Sequence, residues 1–177
     1  MKKLFAVVLA VVMLCTLFAA CGGKTEDNKK ANYEGKMEDL VNAIIEKKPV
    51  EFMGGLMPVD LTDTSEDGIA ALTSFTGLTS GEKLTDIAVY EPMMGSQAFS
   101  LVAVRVAEGA DAKAVAQDMT DNIDTRKWVC VGADEKIVAG YGDVVMLIML
   151  DSSLNLKAQD FVDAFKTVVN GELDFTI

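Results

Sequence analysis

The stretch 91–97, EPMMGSQ, combines residue types that are unusual between two strands. Met93 and Met94 place two long apolar side chains where turns are usually polar, and Glu91 and Gln97 flank them. Thioethers are soft ligands that can hold Cu(I), and methionine surfaces also suit adaptable binding of partners. Methionine is equally a common filler of gaps in a core. The stretch therefore predicts a loop that binds a partner or ligand, with core packing and a copper site as alternatives.

The acidic run 63–68, DTSEDG, has the spacing of the first half of a calcium loop. Asp63, Ser65 and Asp67 fall at ligand positions 1, 3 and 5, but Ser74 stands where a bidentate glutamate is needed at position 12. Thr64 and Asp67 also have the spacing of a helix capping box. The missing ligand favours a capped helix over 65–76, ending at Gly77, and we predict no metal here.

The sequence contains no histidine. This removes the Ser-His-Asp and Cys-His triads and the usual zinc ligand sets. Paired carboxylates or a Ser-Lys pair remain chemically possible, but no motif points to either. We therefore predict a protein that is not an enzyme and has no cofactor. A histidine-free enzyme that uses carboxylates is the least favoured alternative.

Three further residues attract attention through their type. Cys130 lies in the apolar run 128–131, WVCV, and is predicted to be a small buried hydrophobe. Trp128 is predicted to cover the core, with a role as a partner anchor as the alternative. Arg105 interrupts an apolar strand and is predicted to pair with a carboxylate across the sheet.

The N-terminal 20 residues have the pattern of a secretory signal peptide. Lys2 and Lys3 precede an uncharged, mostly apolar run of 17 residues at 4–20 that ends in two alanines. A membrane-spanning helix needs about 20 apolar residues, so this run is at the short limit. Residues 1–20 are therefore predicted to be a signal peptide.

Residues 17–22, LFAACG, resemble the lipobox of bacterial lipoproteins. In that family the cysteine, here Cys21, receives a diacylglyceryl group and becomes the first residue after cleavage. Ala19 and Ala20 match the small residues of the pattern, whereas Phe18 departs from the aliphatic residue expected there. The resemblance implies lipid anchoring through Cys21, and a plain cysteine at the end of a spanning helix is the alternative.

The segment after Cys21 is polar and poor in large apolar residues. Residues 21–34 are predicted to be a flexible tether, because they cannot bury enough apolar surface to offset chain entropy. Without the signal peptide the chain has 14 basic and 27 acidic residues, a net charge of −13. Nucleic-acid binding needs a basic face, so the charge argues against such a partner. The charge also argues against adsorption to an anionic membrane, which leaves anchoring to the lipid.

Residues 35–177 are predicted to form a single α+β domain. Apolar periodicity of 3.6 predicts helices at 35–47, 112–123 and 157–169. Alternating or continuous apolar runs predict strands at 84–90, 99–107, 136–139 and 144–150, and the run 52–58 reads as an irregular loop. A strand-strand-helix unit thus occurs twice. We expect a mainly antiparallel sheet of about four strands, with helices on one face and an additional N-terminal helix.

The ordered set of segments resembles a family. These segments are LVNAII at 40–45, LTDIAVYEP at 84–92, FSLVAVRV at 99–106, VVMLIML at 144–150 and FVDAF at 161–165. Together they are similar to the exported Gram-positive lipoproteins that carry domain of unknown function four-three-five-eight. The resemblance implies a lipid-anchored α+β domain and supplies no catalytic residues.

The sequence as a whole predicts a lipoprotein on the extracytoplasmic face of the cell membrane. Its domain is predicted to be a non-catalytic binding module of the cell envelope, with envelope proteins or a small ligand as partners. A small-molecule-binding or metal-binding lipoprotein is the alternative.

Overall fold

The structure, a computed structural model, describes residues 32–177. In this range the chain forms four helices: α1 (Met37–Lys47), α2 (Glu66–Thr76), α3 (Ala112–Asn122) and α4 (Ala158–Val169). It also forms six strands: β1 (Gly54–Met57), β2 (Leu84–Pro92), β3 (Phe99–Val106), β4 (Glu135–Tyr141), β5 (Val144–Leu150) and β6 (Phe175–Thr176). The predicted signal peptide, Cys21 and most of the predicted tether lie outside the described residues.

The strands form one sheet in the order β1-β2-β3-β5-β4-β6, and all neighbouring strands are antiparallel. Two hairpins, β2–β3 and β4–β5, lie side by side through the pairing of β3 with β5. The α+β class and the antiparallel sheet are therefore confirmed. The described part of the chain adds β1 and β6 at the two edges, so the sheet is wider than the four strands expected.

The sheet carries helices on both faces rather than on one. Successive side chains of a strand point to opposite faces, and those of β3 and β5 divide between two separate apolar clusters. The first cluster includes α1 and α4, with Phe161 and Phe165. The second includes α3 and part of α2, with Val115 and Met119. Every residue of β5 is buried, and a sheet buried on both sides needs cover on both sides.

The repeated strand-strand-helix order is present, but the two following helices go to opposite faces. α3 joins the second cluster and α4 joins the first, although both cross strands β4 and β5. The two units are therefore alike in order and different in arrangement.

Local signals place the helix ends largely as predicted. Asp111 caps α3 by accepting from the backbone N–H groups of Lys113 and Ala114. Gly77 ends α2 in the left-handed region, at φ 77°. The N-cap of α2 is Ser65, whose Oγ accepts from Gly68 N at 3.1 Å, so the cap is one residue later than the predicted Thr64.

Two segments differ from the sequence-based expectation. The run 52–58, predicted to be an irregular loop, contains β1, because residues 54–57 pair with the end of β2. The run 128–131 is a bend in which Val129 and Cys130 are exposed and Trp128 is half-buried. Cys130 has a positive φ of 64° and is exposed, which overturns its predicted burial. Trp128 does pack against the second cluster, as predicted.

Candidate binding surface at one end of the sheet

The two ends of the sheet differ in what they carry. At one end β2 leads into β3 through residues 93–98, and Asp151 N donates to Ala98 O at 2.9 Å. The loop 123–134 reaches the same end, where Asp134 N donates to Leu150 O at 3.1 Å. We call this the distal end. The opposite end, where β3 finishes and β5 begins, is the proximal end.

The most exposed large apolar side chains of residues 32–177 all belong to the distal end. Met53 is 75% exposed, Val129 74%, Met93 67% and Met94 63%. Leu56 and Ile69 are the other large apolar side chains that count as exposed in this range, and each is less than 40% exposed. The three methionines therefore do not fill gaps in the core, which removes the packing alternative for Met93 and Met94.

Met53 and Met93 are neighbours across two paired segments. Met93 N donates to Met53 O at 2.9 Å, directly beyond the paired residues Gly54 and Pro92. Residues that face each other in an antiparallel ladder project their side chains to the same face. Gln97 N donates to Met94 O at 3.3 Å and closes the turn that follows. The backbone thus fixes the positions from which these thioethers extend into solvent.

Glu91 lies within β2 and does not extend from the loop. Its Oε1 is 2.5 Å from Lys127 Nζ, and the two side chains are only 13% and 9% exposed. Lys127 Nζ also donates to Ser74 O at 3.0 Å and lies 4.9 Å from the ring centre of Phe75. Burial lowers the pKa of Lys127, and the negative charge of Glu91 opposes that shift. The pair holds the loop that carries Val129 against the sheet.

This buried lysine is also close to a serine, as a Ser-Lys catalytic pair requires. Ser100 Oγ lies 3.5 Å from Lys127 Nζ, but the whole Ser100 residue is buried. A nucleophile has to reach its substrate, and the four cavities at the surface of residues 32–177 are lined by neither Ser100 nor Lys127. The contacts of Lys127 with Glu91 and Phe75 provide charge pairing and packing.

Gln97 is half-buried and faces another side of the distal end. It lines a cavity of about 280 Å³ together with Lys48, Phe52 and Leu154. The four residues predicted for the loop are therefore not gathered into one group. Met93 and Met94 are joined by Met53 and Val129, which the sequence did not assign to the site. Their shared exposure became visible only once the strands were paired.

The chain enters the described fold at the proximal end. Arg105 Nη1 contacts Asp143 Oδ2 at 2.7 Å, which confirms the predicted pairing with a carboxylate. Its Nη2 donates to the carbonyl oxygens of Tyr33 at 2.8 Å and Gly35 at 2.7 Å. Tyr33 packs against the first cluster, and burial raises the pKa of its phenol. Residues 33–34 of the predicted tether are therefore held by the domain.

The chain entry and the exposed methionines lie far apart along the sheet. β3 runs from Phe99 at the distal end to Val106, next to Arg105, at the proximal end. Eight extended residues span about 25 Å at roughly 3.3 Å each. The exposed apolar side chains and the chain entry thus lie at opposite ends of the sheet.

A cavity of about 470 Å³ lies between β1, β2 and the beginning of α2. Its lining includes the carboxylates of Glu38, Asp60, Asp63 and Asp67. Hydrogen bonds from Thr62 and Ser65 lower the pKa values of Asp60 and Asp63 respectively. These two acids shift in the same direction, whereas an acid–base pair needs pKa values that are moved apart.

The run 63–68 uses its oxygens locally. Asp63 Oδ1 accepts from Ser65 N at 2.9 Å, and Ser65 Oγ caps α2. Within residues 32–177 no group of three or more histidine, cysteine or acidic side chains is placed to hold a metal ion. The same range has no helix of sufficient length and apolar character to cross a membrane.

Comparison with known proteins gives no relative. No protein-family model matches the chain, and neither a curated protein nor a solved structure matches it.

Proposed function

We propose that this protein is a lipid-anchored, non-catalytic binding module of the cell envelope that docks a partner protein through its distal end. The observation that carries the proposal is the collection of Met53, Met93, Met94 and Val129 at one end of the sheet. Exposed large apolar side chains that gather in one region are typical of interaction sites.

The position of the chain entry supports this proposal. With Cys21 in the outer leaflet of the membrane, the tether reaches the domain at the proximal end, where Arg105 holds Tyr33 and Gly35. The tether thus attaches at the end opposite the methionines. We propose that the domain is oriented with its distal end towards the envelope side, where a partner approaches.

The side-chain types support a protein partner. Burying one exposed methionine or valine side chain contributes about 1.5–3 kcal/mol, so a few of them can form the centre of an interface. Methionine has no branching and adapts to the shape of an apolar partner surface. The rest of the domain is strongly acidic, which disfavours an anionic lipid surface as the occupant of this end.

The test compares the capture of envelope proteins by the unmodified anchored protein, by a double variant at Met93 and Met94, and by a control variant at Ile69. Met93→Ser together with Met94→Ser should abolish capture and leave the thermal midpoint nearly unchanged, because both side chains are exposed. Ile69→Ser is the matched control, since Ile69 is an exposed apolar residue on α2 and belongs to neither of the loops 93–98 and 123–134. Capture that survives the double substitution, or that Ile69→Ser also abolishes, would contradict the proposal.

A further inference from the structure

We propose that Met53, Met93 and Met94 form a thioether site for Cu(I) at the distal end. This inference rests on the proposed function, because it assigns a ligand to the same surface. The metal site requires the sulfur atoms of the three methionines, whereas docking of a partner protein requires only their apolar surface.

The backbone brings the three methionine residues to the same end of the sheet. Met53 and Met93 face each other across the 2.9 Å hydrogen bond between Met93 N and Met53 O. Their side chains share a face of the sheet, and Cβ atoms of directly opposite residues are about 5 Å apart. Met94 is the next residue, in the turn that Gln97 closes. Flexible methionine side chains need little rearrangement to converge from these positions.

The sulfur atoms are available for ligation. All three side chains are more than 60% exposed, so their thioethers are not committed to the apolar clusters. Seven further methionines occur in the chain, and those at positions 37, 119, 146 and 149 are fully buried. Exposure of thioethers is thus concentrated at this surface among the described residues.

The ligand set selects a soft monovalent ion. Thioether sulfur is neutral and soft, which suits Cu(I) and disfavours hard divalent ions that need carboxylate oxygens. Glu91, the acidic residue nearest in sequence to Met93 and Met94, is committed to Lys127 at 2.5 Å. The chain offers no imidazole, so a Cu(II) or zinc site has no ligands of the preferred kind here.

The experiment uses the full chain in detergent, with Ag(I) as a redox-inert probe and Cu(I) delivered anaerobically from a competing chelator. Binding is followed by the NMR signals of the methionine methyl groups and by the competition constant. We expect the methyl signals of Met53, Met93 and Met94 to shift and those of the buried methionines to remain. Each single Met→Leu substitution should weaken binding at least tenfold, and the triple substitution should abolish it.

Three control variants separate the sources of binding. Met57→Leu removes a thioether on β1 that lies outside the proposed set and should leave binding unchanged. Val129→Ser alters the docking surface without removing sulfur, and should also leave it unchanged. Cys130→Ser removes an exposed thiol that could bind the same ions. Binding that disappears with Cys130→Ser and persists in the triple Met→Leu variant would overturn the site.

The same variants keep this inference apart from the proposed function. The triple Met→Leu variant retains apolar area and should still capture the partner protein while it loses Cu(I). Unchanged methionine signals on addition of either ion would refute the metal site, whatever the result of the capture experiment. Capture that fails while the methionine signals still shift would refute the docking proposal alone.

Discussion

Lys127 and Glu91 form an ion pair of 2.5 Å that is almost completely enclosed between the sheet, Phe75 and Trp128. The residues are 36 positions apart, and their pairing attaches the loop 123–134 to the end of β2. This contact holds the loop that carries Val129 at the same end of the sheet as the methionine-bearing turn. The ion pair therefore connects the stability of the domain to the shape of its distal end.

Removal of one partner of this pair should destabilise the domain strongly. Glu91→Gln leaves a buried ammonium without its counter-charge, and the free energy of unfolding should fall by about 3 kcal/mol. The double variant Glu91→Gln with Lys127→Met should recover most of that loss, because no buried charge remains. Urea denaturation measures both effects. A loss below about 1 kcal/mol for the single variant would show that the pair is solvated.

The alkaline dependence of stability provides a second test of the same lysine. Burial lowers the pKa of Lys127 below its usual 10.5, so the unfolded chain holds this proton more tightly than the folded chain. The free energy of unfolding should therefore rise, through this residue, as the pH increases towards 10.5. The Lys127→Met variant should lack this rise. If the free energy of unfolding changes with pH in the same way in the unmodified protein and in Lys127→Met, the rise does not come from Lys127.

Arg105 should control how firmly the chain entry is held. Arg105→Gln removes the ion pair with Asp143 and the two bonds to the carbonyls of Tyr33 and Gly35. We expect a loss of about 2 kcal/mol, in the range for hydrogen bonds to charged groups, and faster proteolysis near residue 33. Arg126→Gln, at an exposed arginine, is the control and should change neither quantity. Equal rates of proteolysis near residue 33 in the unmodified protein, Arg105→Gln and Arg126→Gln would show that Arg105 does not hold the chain entry.

Ser65 and Thr64, at the beginning of α2, should differ in their contribution to stability, because only Ser65 caps the helix. Ser65→Ala removes the acceptor for Gly68 N and should cost about 1 kcal/mol, whereas Thr64→Ala should cost almost nothing. Thermal unfolding of the two variants measures the difference. The reverse order of stabilities would restore the sequence-based assignment of Thr64 as the cap.

The proposed anchor at Cys21 has a direct chemical test. Mass spectrometry of the protein from membranes should show a diacylglyceryl group on Cys21 and no residues before it. Cys21→Ala should release the protein from the membrane fraction or leave it uncleaved. An unmodified thiol at this position, or a retained Met1, would contradict both the lipoprotein resemblance and the orientation proposed for the domain.

The central strands were predictable, because their sequence determines their environment. VVMLIML at 144–150 has no polar position, and it forms a strand buried on both sides. β1 and β6 were not predictable in this way. GGLM lacks β-branched residues and is a strand only through its pairing with β2, and β6 has two residues. Long-range pairing, rather than local propensity, decides such edges.

The candidate site was predictable only in part for the same reason. Met93 and Met94 were identifiable from their unusual place in a turn, but Met53 joins them through strand pairing across 40 positions. The apolar run 128–131 suggested burial of Cys130, yet the β4 ladder begins only at Glu135, and Val129 and Cys130 are left exposed in a bend before it. Glu91 looked like a loop residue because its partner Lys127 is remote in sequence.

Site-specific photo-crosslinking on intact cells tests the central claim most directly. A photoreactive residue at position 93 of the anchored protein should give an adduct of defined mass with an envelope protein, and one at position 69 should not. Val129→Ser should reduce the yield of the adduct at position 93. Absence of an adduct at position 93, or the same adduct with equal yield at position 69, would contradict docking through the distal end.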